Sequence, residues 1–84
     1  MNARRREHVA SRPTWRCRAC GIAWPCGAAK LGLLAEYGGR RAALLIHLAT
    51  LWAEATAQLA GSEAAANPTA LYERFTAWAR AHAL

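Results

Sequence analysis

The feature that most constrains this chain is a sulfur-rich stretch without helical rhythm, residues 8–27, HVASRPTWRCRACGIAWPCG. It holds all three cysteines, in the spacing His8-x8-Cys17-x2-Cys20-x5-Cys26. A Cys-x2-Cys pair is the shortest arrangement that lets two thiolates grip one tetrahedral ion from a single turn. Three thiolates need a fourth ligand to close the site. His8 is the nearest, and its position nine residues before Cys17 gives its imidazole ample reach. His47 and His82 are the alternatives within the chain. Gly21 follows the Cys-x2-Cys pair, where positive φ would let the backbone turn and aim N–H groups at sulfur. The stretch reads as a structural zinc site with His8, Cys17, Cys20 and Cys26 as ligands.

Other uses of the same cysteines are less well served. A redox dithiol opens a helix after a strand in a βαβ pattern, and no such pattern flanks Cys17. Iron–sulfur clusters are usually held by four cysteines, one more than the chain has. An odd number of cysteines also leaves one over in a disulfide framework, and no apolar signal-peptide core follows Met1. A reducing cytoplasm is the expected setting. No run approaches the roughly 18 apolar residues that would span a bilayer, because Ala42 to Ala57 is interrupted by His47, Thr50 and Glu54.

Size strengthens the case for a staple. The chain has 84 residues, and 22 of them are alanines that bury little area each, so the core rests on ten leucines and a few aromatics. Zinc contributes roughly 10 to 16 kcal/mol of apparent free energy in zinc-finger peptides, more than many domains have in total stability. The metal would therefore decide whether the N-terminal third folds.

Beyond the cysteines the pattern becomes helical. Thr14 to Arg18 and Gly21 to Trp24 can pair as a small hairpin, and Pro25-Cys26-Gly27 then leads into a first helix, Ala28 to Tyr37. Its Lys30, Leu31, Leu34 and Tyr37 fall at helical spacing before Gly38-Gly39 stops it. Cys26 thus lies at a helix N-terminus, where the macrodipole favours a thiolate. A second helix, about Arg40 to Ala60, carries an apolar stripe of Leu44, Leu48, Leu51, Trp52, Ala55 and Leu59, with His47, Thr50, Glu54 and Gln58 to one side. Gly61 ends it, and Ser62 to Ala66 form a linker. Asn67 as N-cap and Pro68 at the first helical position open a third helix with Leu71, Phe75, Trp78 and His82 on one face. The expected fold is mainly α: a zinc-knuckle loop, residues 8–27, followed by three packed helices within residues 28–84. Residues 1–7 are expected to form a mobile basic arm outside this single small domain.

Charge is concentrated where the cysteines are. Residues 1–26 carry Arg4, Arg5, Arg6, Arg12, Arg16 and Arg18 against Glu7, a net +5, whereas residues 27–84 carry five basic and four acidic side chains, a net +1. These arginines are candidate phosphate contacts, and Trp15, with Trp24, is a candidate stacking surface for a single strand or an RNA loop. The competing reading makes both indoles an apolar lid on the metal. A protein partner and a nucleic-acid partner both remain open.

Catalytic signatures are not visible: there is no G-x-G-x-x-G, P-loop, G-x-S-x-G or H-E-x-x-H, and the five carboxylates are scattered. The run His8, Pro13-Thr14-Trp15-Arg16-Cys17-Arg18-Ala19-Cys20-Gly21 and Trp24-Pro25-Cys26, followed by Ala29-Lys30, Leu33 and Glu36-Tyr37, resembles a group of short actinobacterial proteins of unestablished function. Many of those carry the label flavin reductase. The resemblance implies an actinobacterial source and, through that label, flavin reduction or other redox chemistry as an alternative to a zinc-binding accessory or regulatory module. Where such proteins have a proline before the tryptophan, this chain has Ala23.

Overall fold

Among the described residues, glycine and proline divide the chain into three helices and a preceding loop. The computed structural model describes residues 7–81. The expectations placed on Arg4, Arg5, Arg6, His82 and nearly all of the basic arm therefore lie outside the described residues. Helix α1 runs Gly27–Tyr37, α2 Arg41–Gln58 and α3 Pro68–Ala81, with a short 3-10 turn at Glu63–Ala65 between the last two. The protein is mainly helical, with no strand among the described residues.

Local chemistry explains the boundaries. Gly38 has φ +55° and closes α1 by donating its N–H to the Leu34 carbonyl at 3.0 Å. Helix α2 ends at Gln58, and the chain turns back through Gly61 at φ +86°, with the Ser62 hydroxyl donating to the Leu59 carbonyl at 2.6 Å. At the start of α3 the Asn67 side-chain oxygen accepts from the Ala70 N–H at 3.0 Å, and Pro68 takes the first helical position.

The core lies between α2 and α3. Leu44, Leu48, Ala55 and Leu59 face Leu71, Phe75 and Ala79, while Leu51, Trp52 and Trp78 pack at its edge, half-buried. Thr76 is buried too, and its hydroxyl is satisfied by the Tyr72 carbonyl at 2.9 Å. Helix α1 departs at Leu31 from the face its spacing implies, while Leu34 and Tyr37 keep to it. Leu31 is 68% exposed, and α1 instead buries Ala29 and half-buries Leu33, Leu34 and Tyr37 against the core. Among the described residues no helix is long and apolar enough to cross a membrane.

The loop before α1 is three short extended pieces, held by single antiparallel bridges between Ala10 and Cys17 and between Arg16 and Ala23. The hairpin expected of residues 14–18 and 21–24 is thus reduced to one bridge. Residues 9–11 line the other side of the central piece through Arg18 N–H to the Val9 carbonyl and Ser11 N–H to the Arg16 carbonyl, both 2.9 Å.

Candidate metal centre

The central piece of the loop is bent by Trp15, which has φ +57°, a left-handed conformation that a bulky residue adopts at a cost of about 1 to 3 kcal/mol. Burial offsets that cost. Trp15 is 0% exposed, edge-on to Phe75 at 5.6 Å and beside Trp24 at 6.2 Å, and Trp24 reaches Phe75 at 5.9 Å. This aromatic trio joins loop to helices and forms the floor under the cysteines. Trp15 therefore offers no face to a nucleic-acid base, and the stacking role considered for it, and for the equally buried Trp24, is corrected to one in the core.

Above that floor the chain turns at 17–21. The Gly21 N–H donates to the Cys17 carbonyl at 2.8 Å, Gly21 has φ +81°, and the Cys20 N–H points at the Cys17 sulfur at 3.3 Å. Glycine here does what its position implied, since a side chain would be strained at that φ. Cys26 is the N-cap residue of α1, with its carbonyl accepting from the Lys30 N–H at 2.9 Å. His8 is brought over by the outer piece and pinned by the Trp24 indole N–H, which donates to the His8 carbonyl at 3.2 Å.

These placements converge. The ligand atoms of His8, Cys17, Cys20 and Cys26 all lie within 4.8 Å of one another. The His8 Nδ1 is 3.3 Å from each of the three sulfurs, and the Cys17 and Cys26 sulfurs are 3.6 Å apart. Four donors so arranged can hold a metal ion, and the imidazole presents Nδ1 to it, not Nε2. His47 lies elsewhere, stacked on Tyr37 with ring centroids 5.8 Å apart.

The thiols are unequal. Burial pushes the Cys17 thiol up, but hydrogen bonds from the Cys20 and Ala19 backbone, then from Cys26 and His8, outweigh it and bring the pKa down to about 6. Cys20 moves to about 11, through desolvation and then its hydrogen bonds to Cys17 and Cys26 and their negative charge. Because Cys20 is an exposed residue, we assign that rise mainly to its neighbours. Three thiols this close do not all ionise without a cation among them.

Two polar connections fasten the loop to the helices, and neither is visible from spacing. From α3, Arg74 donates Nε–H to the Trp24 carbonyl and an Nη2–H to the Trp15 carbonyl, each at 2.8 Å. From α2, Gln58 accepts the Trp15 indole N–H at 2.7 Å and donates to Glu54 at 3.3 Å; Glu54 takes a two-pronged ion pair from Arg12, at 2.9 and 3.1 Å, and the Arg12 guanidinium lies 4.0 Å over the Trp15 ring. The polar flank of α2 is thus a docking face for the loop.

Of the arginines proposed as phosphate contacts, Arg12 is engaged with Glu54 and with the Ala10 carbonyl, which makes it a structural clamp. Arg16 is exposed and donates to the Gly21 carbonyl at 2.8 Å, and Arg18 is exposed. No family model matches the chain, and no curated protein or solved structure matches it significantly.

Proposed function

We propose that this chain is a small zinc-binding module that serves as an accessory or regulatory binding factor. The observation that carries the reading is the closed donor set, one imidazole nitrogen and three sulfurs at mutual contact. With about 2.3 Å to sulfur and about 2.0 Å to nitrogen, tetrahedral zinc implies edges of about 3.8 Å between sulfurs and about 3.5 Å from nitrogen to sulfur. The separations of 3.6 and 3.3 Å here are close to those edges. A soft, thiolate-rich set of this kind favours zinc over magnesium or calcium. Four protein ligands also fill the coordination sphere, which is the arrangement of a structural site and not of a catalytic one with an open position.

The metal would draw together His8, the 17–20 turn and the start of α1, and so hold Trp15 and Trp24 against Phe75. A protein partner is the better-supported reading, because Trp15 is buried and Arg12 is paired, which removes a stacking residue and a phosphate contact from the described surface. The test is elemental analysis of the purified chain, expected to give one zinc per chain, followed by a pull-down from the native cell with and without nuclease. Captured protein that survives nuclease supports the reading; loss of all capture on nuclease treatment would favour nucleic acid. Flavin reduction, the activity implied by the resemblance, predicts a yellow protein that bleaches with NADH, whereas a zinc module is colourless.

A further inference from the structure

The cysteine ligands of a bound zinc ion are all thiolates, so what separates the three of them chemically is access. Cys17 and Cys26, the latter at the start of α1, are 2% and 3% exposed, whereas Cys20 is exposed. The same turn holds a second sulfur close to it. Only Arg18 and Ala19 separate Cys17 from Cys20, and the Cys20 N–H to Cys17 sulfur contact of 3.3 Å fixes the pair as one unit.

We propose that Cys20 is a modification site for peroxides, and that its oxidation into a disulfide with Cys17 discharges the metal and undocks the loop. This rests on the zinc reading above. In the first step the Cys20 thiolate attacks one oxygen of hydrogen peroxide; the O–O bond breaks, hydroxide leaves, and the sulfur becomes a sulfenic acid. In the second, the Cys17 thiolate attacks the Cys20 sulfur; the S–O bond breaks, a second hydroxide leaves, and the S–S bond forms. The two sulfurs give up two electrons, the two peroxide oxygens receive them, and zinc keeps its charge throughout. Only His8 and Cys26 then remain as ligands, half of a tetrahedral set.

The consequence lies in the packing. Trp15 is two residues before Cys17 and Trp24 two before Cys26, so the ligands and the two indoles of the aromatic trio move on the same short segments. Loss of the metal frees those segments from one another and opens the apolar surface that Trp15 and Trp24 cover on Phe75. Peroxide is thereby converted into a change of exposed surface, which is what a binding module can transmit.

The experiment uses the full zinc-loaded chain, hydrogen peroxide and a metallochromic zinc indicator, with tryptophan emission followed in parallel. Trypsin cuts after Arg16, Arg18 and Lys30, which places Cys17 on the 17–18 dipeptide and leaves Cys20 and Cys26 together on 19–30. The expected result is stoichiometric zinc release, a red shift in emission, and the dipeptide disulfide-linked to 19–30 through Cys20, all reversed by dithiothreitol and zinc. Brief alkylation of the untreated zinc-loaded chain with iodoacetamide should mark Cys20 ahead of Cys17 and Cys26, a readout that needs no variant. First labelling at Cys17 or Cys26, a bridge that leaves Cys20 out or joins it to Cys26, or zinc retained through full peroxide treatment would each overturn the proposal. Elemental analysis before peroxide separates the two levels: a chain that takes up no zinc sinks the metal reading together with this one, whereas a zinc-loaded chain that fails the peroxide test sinks only this one.

Discussion

Arg74 donates its Nε–H to the backbone oxygen of Trp24 at 2.8 Å, across 50 residues of sequence, and so ties the last helix to the loop that carries the cysteine cluster. The same guanidinium reaches the Trp15 carbonyl, which also accepts the Trp24 N–H at 2.9 Å. Its ionisation is held below the usual arginine range by desolvation and by the charge of Arg16. The group remains a cation, since arginine starts from so high a value.

Removal of that fork should weaken the fold. Arg74→Ala leaves the Trp24 carbonyl without its donor and the Trp15 carbonyl with one donor of two, a loss expected to cost about 1 to 3 kcal/mol. Arg74→Lys should recover only part of it, because an ammonium cannot present two fixed parallel donors. Urea unfolding of the zinc-loaded chain checks this, and wild-type midpoints in both variants would contradict it.

Phe75 is the second point of attachment, at the centre of the aromatic trio and 0% exposed. Phe75→Ala should cost about 3 to 5 kcal/mol and, unlike a core change remote from the loop, should also lower zinc affinity. Leu44→Ala, in the same core cluster, is the comparison: similar destabilisation with a smaller effect on zinc. Competition with a zinc chelator measures the difference, and equal zinc losses in the two variants would count against the coupling.

Zinc binding should release protons, in an amount set by the cluster. At neutral pH the Cys17 thiol, with its pKa at about 6, is mostly ionised already, while Cys20, at about 11, holds its proton. Entry of the metal must displace at least the Cys20 proton, so affinity rises with pH between those values and falls on acidification, steeply once Cys17 also protonates. Zinc titration in a weakly buffered indicator solution should show at least one proton released per metal at neutral pH. Release of none would be inconsistent with thiolate ligation by Cys20.

The clustering of His8 with the three cysteines and the helices were legible in the sequence because each leaves a local trace: cysteines at turn spacing beside Gly21, an N-cap at Asn67, an apolar rhythm through Leu44, Leu48 and Phe75. What could not be read were contacts between segments far apart in sequence. Glu54 and Gln58 look like a solvated flank by periodicity, and only the arrival of Trp15 and Arg12 turns that flank into an interface. The spacing in α1 favours Leu31 as well as Leu34, but Leu31 is exposed and Ala29, whose small size carries little hydrophobic signal, is the buried residue of the helix. Trp15 illustrates the same limit, since an indole flanked by arginines in sequence has the pattern of a nucleic-acid contact until Phe75 and Gln58 are found on it.

The Arg12–Glu54–Gln58–Trp15 circuit carries the last prediction, an acid limb in stability. The Arg12 guanidinium beside Glu54 holds the carboxyl below its ordinary value of 4.5, with some desolvation opposing and Gln58 assisting. A folded-state value below the unfolded one means that the contribution is present above the ordinary carboxylate value and disappears as pH falls through the lower folded value. Both side chains of the pair are partly exposed, at 41% and 42%, so salt should screen it. Glu54→Gln should therefore lower stability slightly at neutral pH and low salt, converge with wild type as acid protonates Glu54, and lose most of its effect in high salt. Metal binding by the cysteine cluster is also expected to weaken in acid, so the comparison must be the difference between variant and wild type at each pH, with both zinc-loaded. A difference that persists unchanged below the carboxylate range would assign the role of Glu54 to its hydrogen bond with Gln58 and not to its charge.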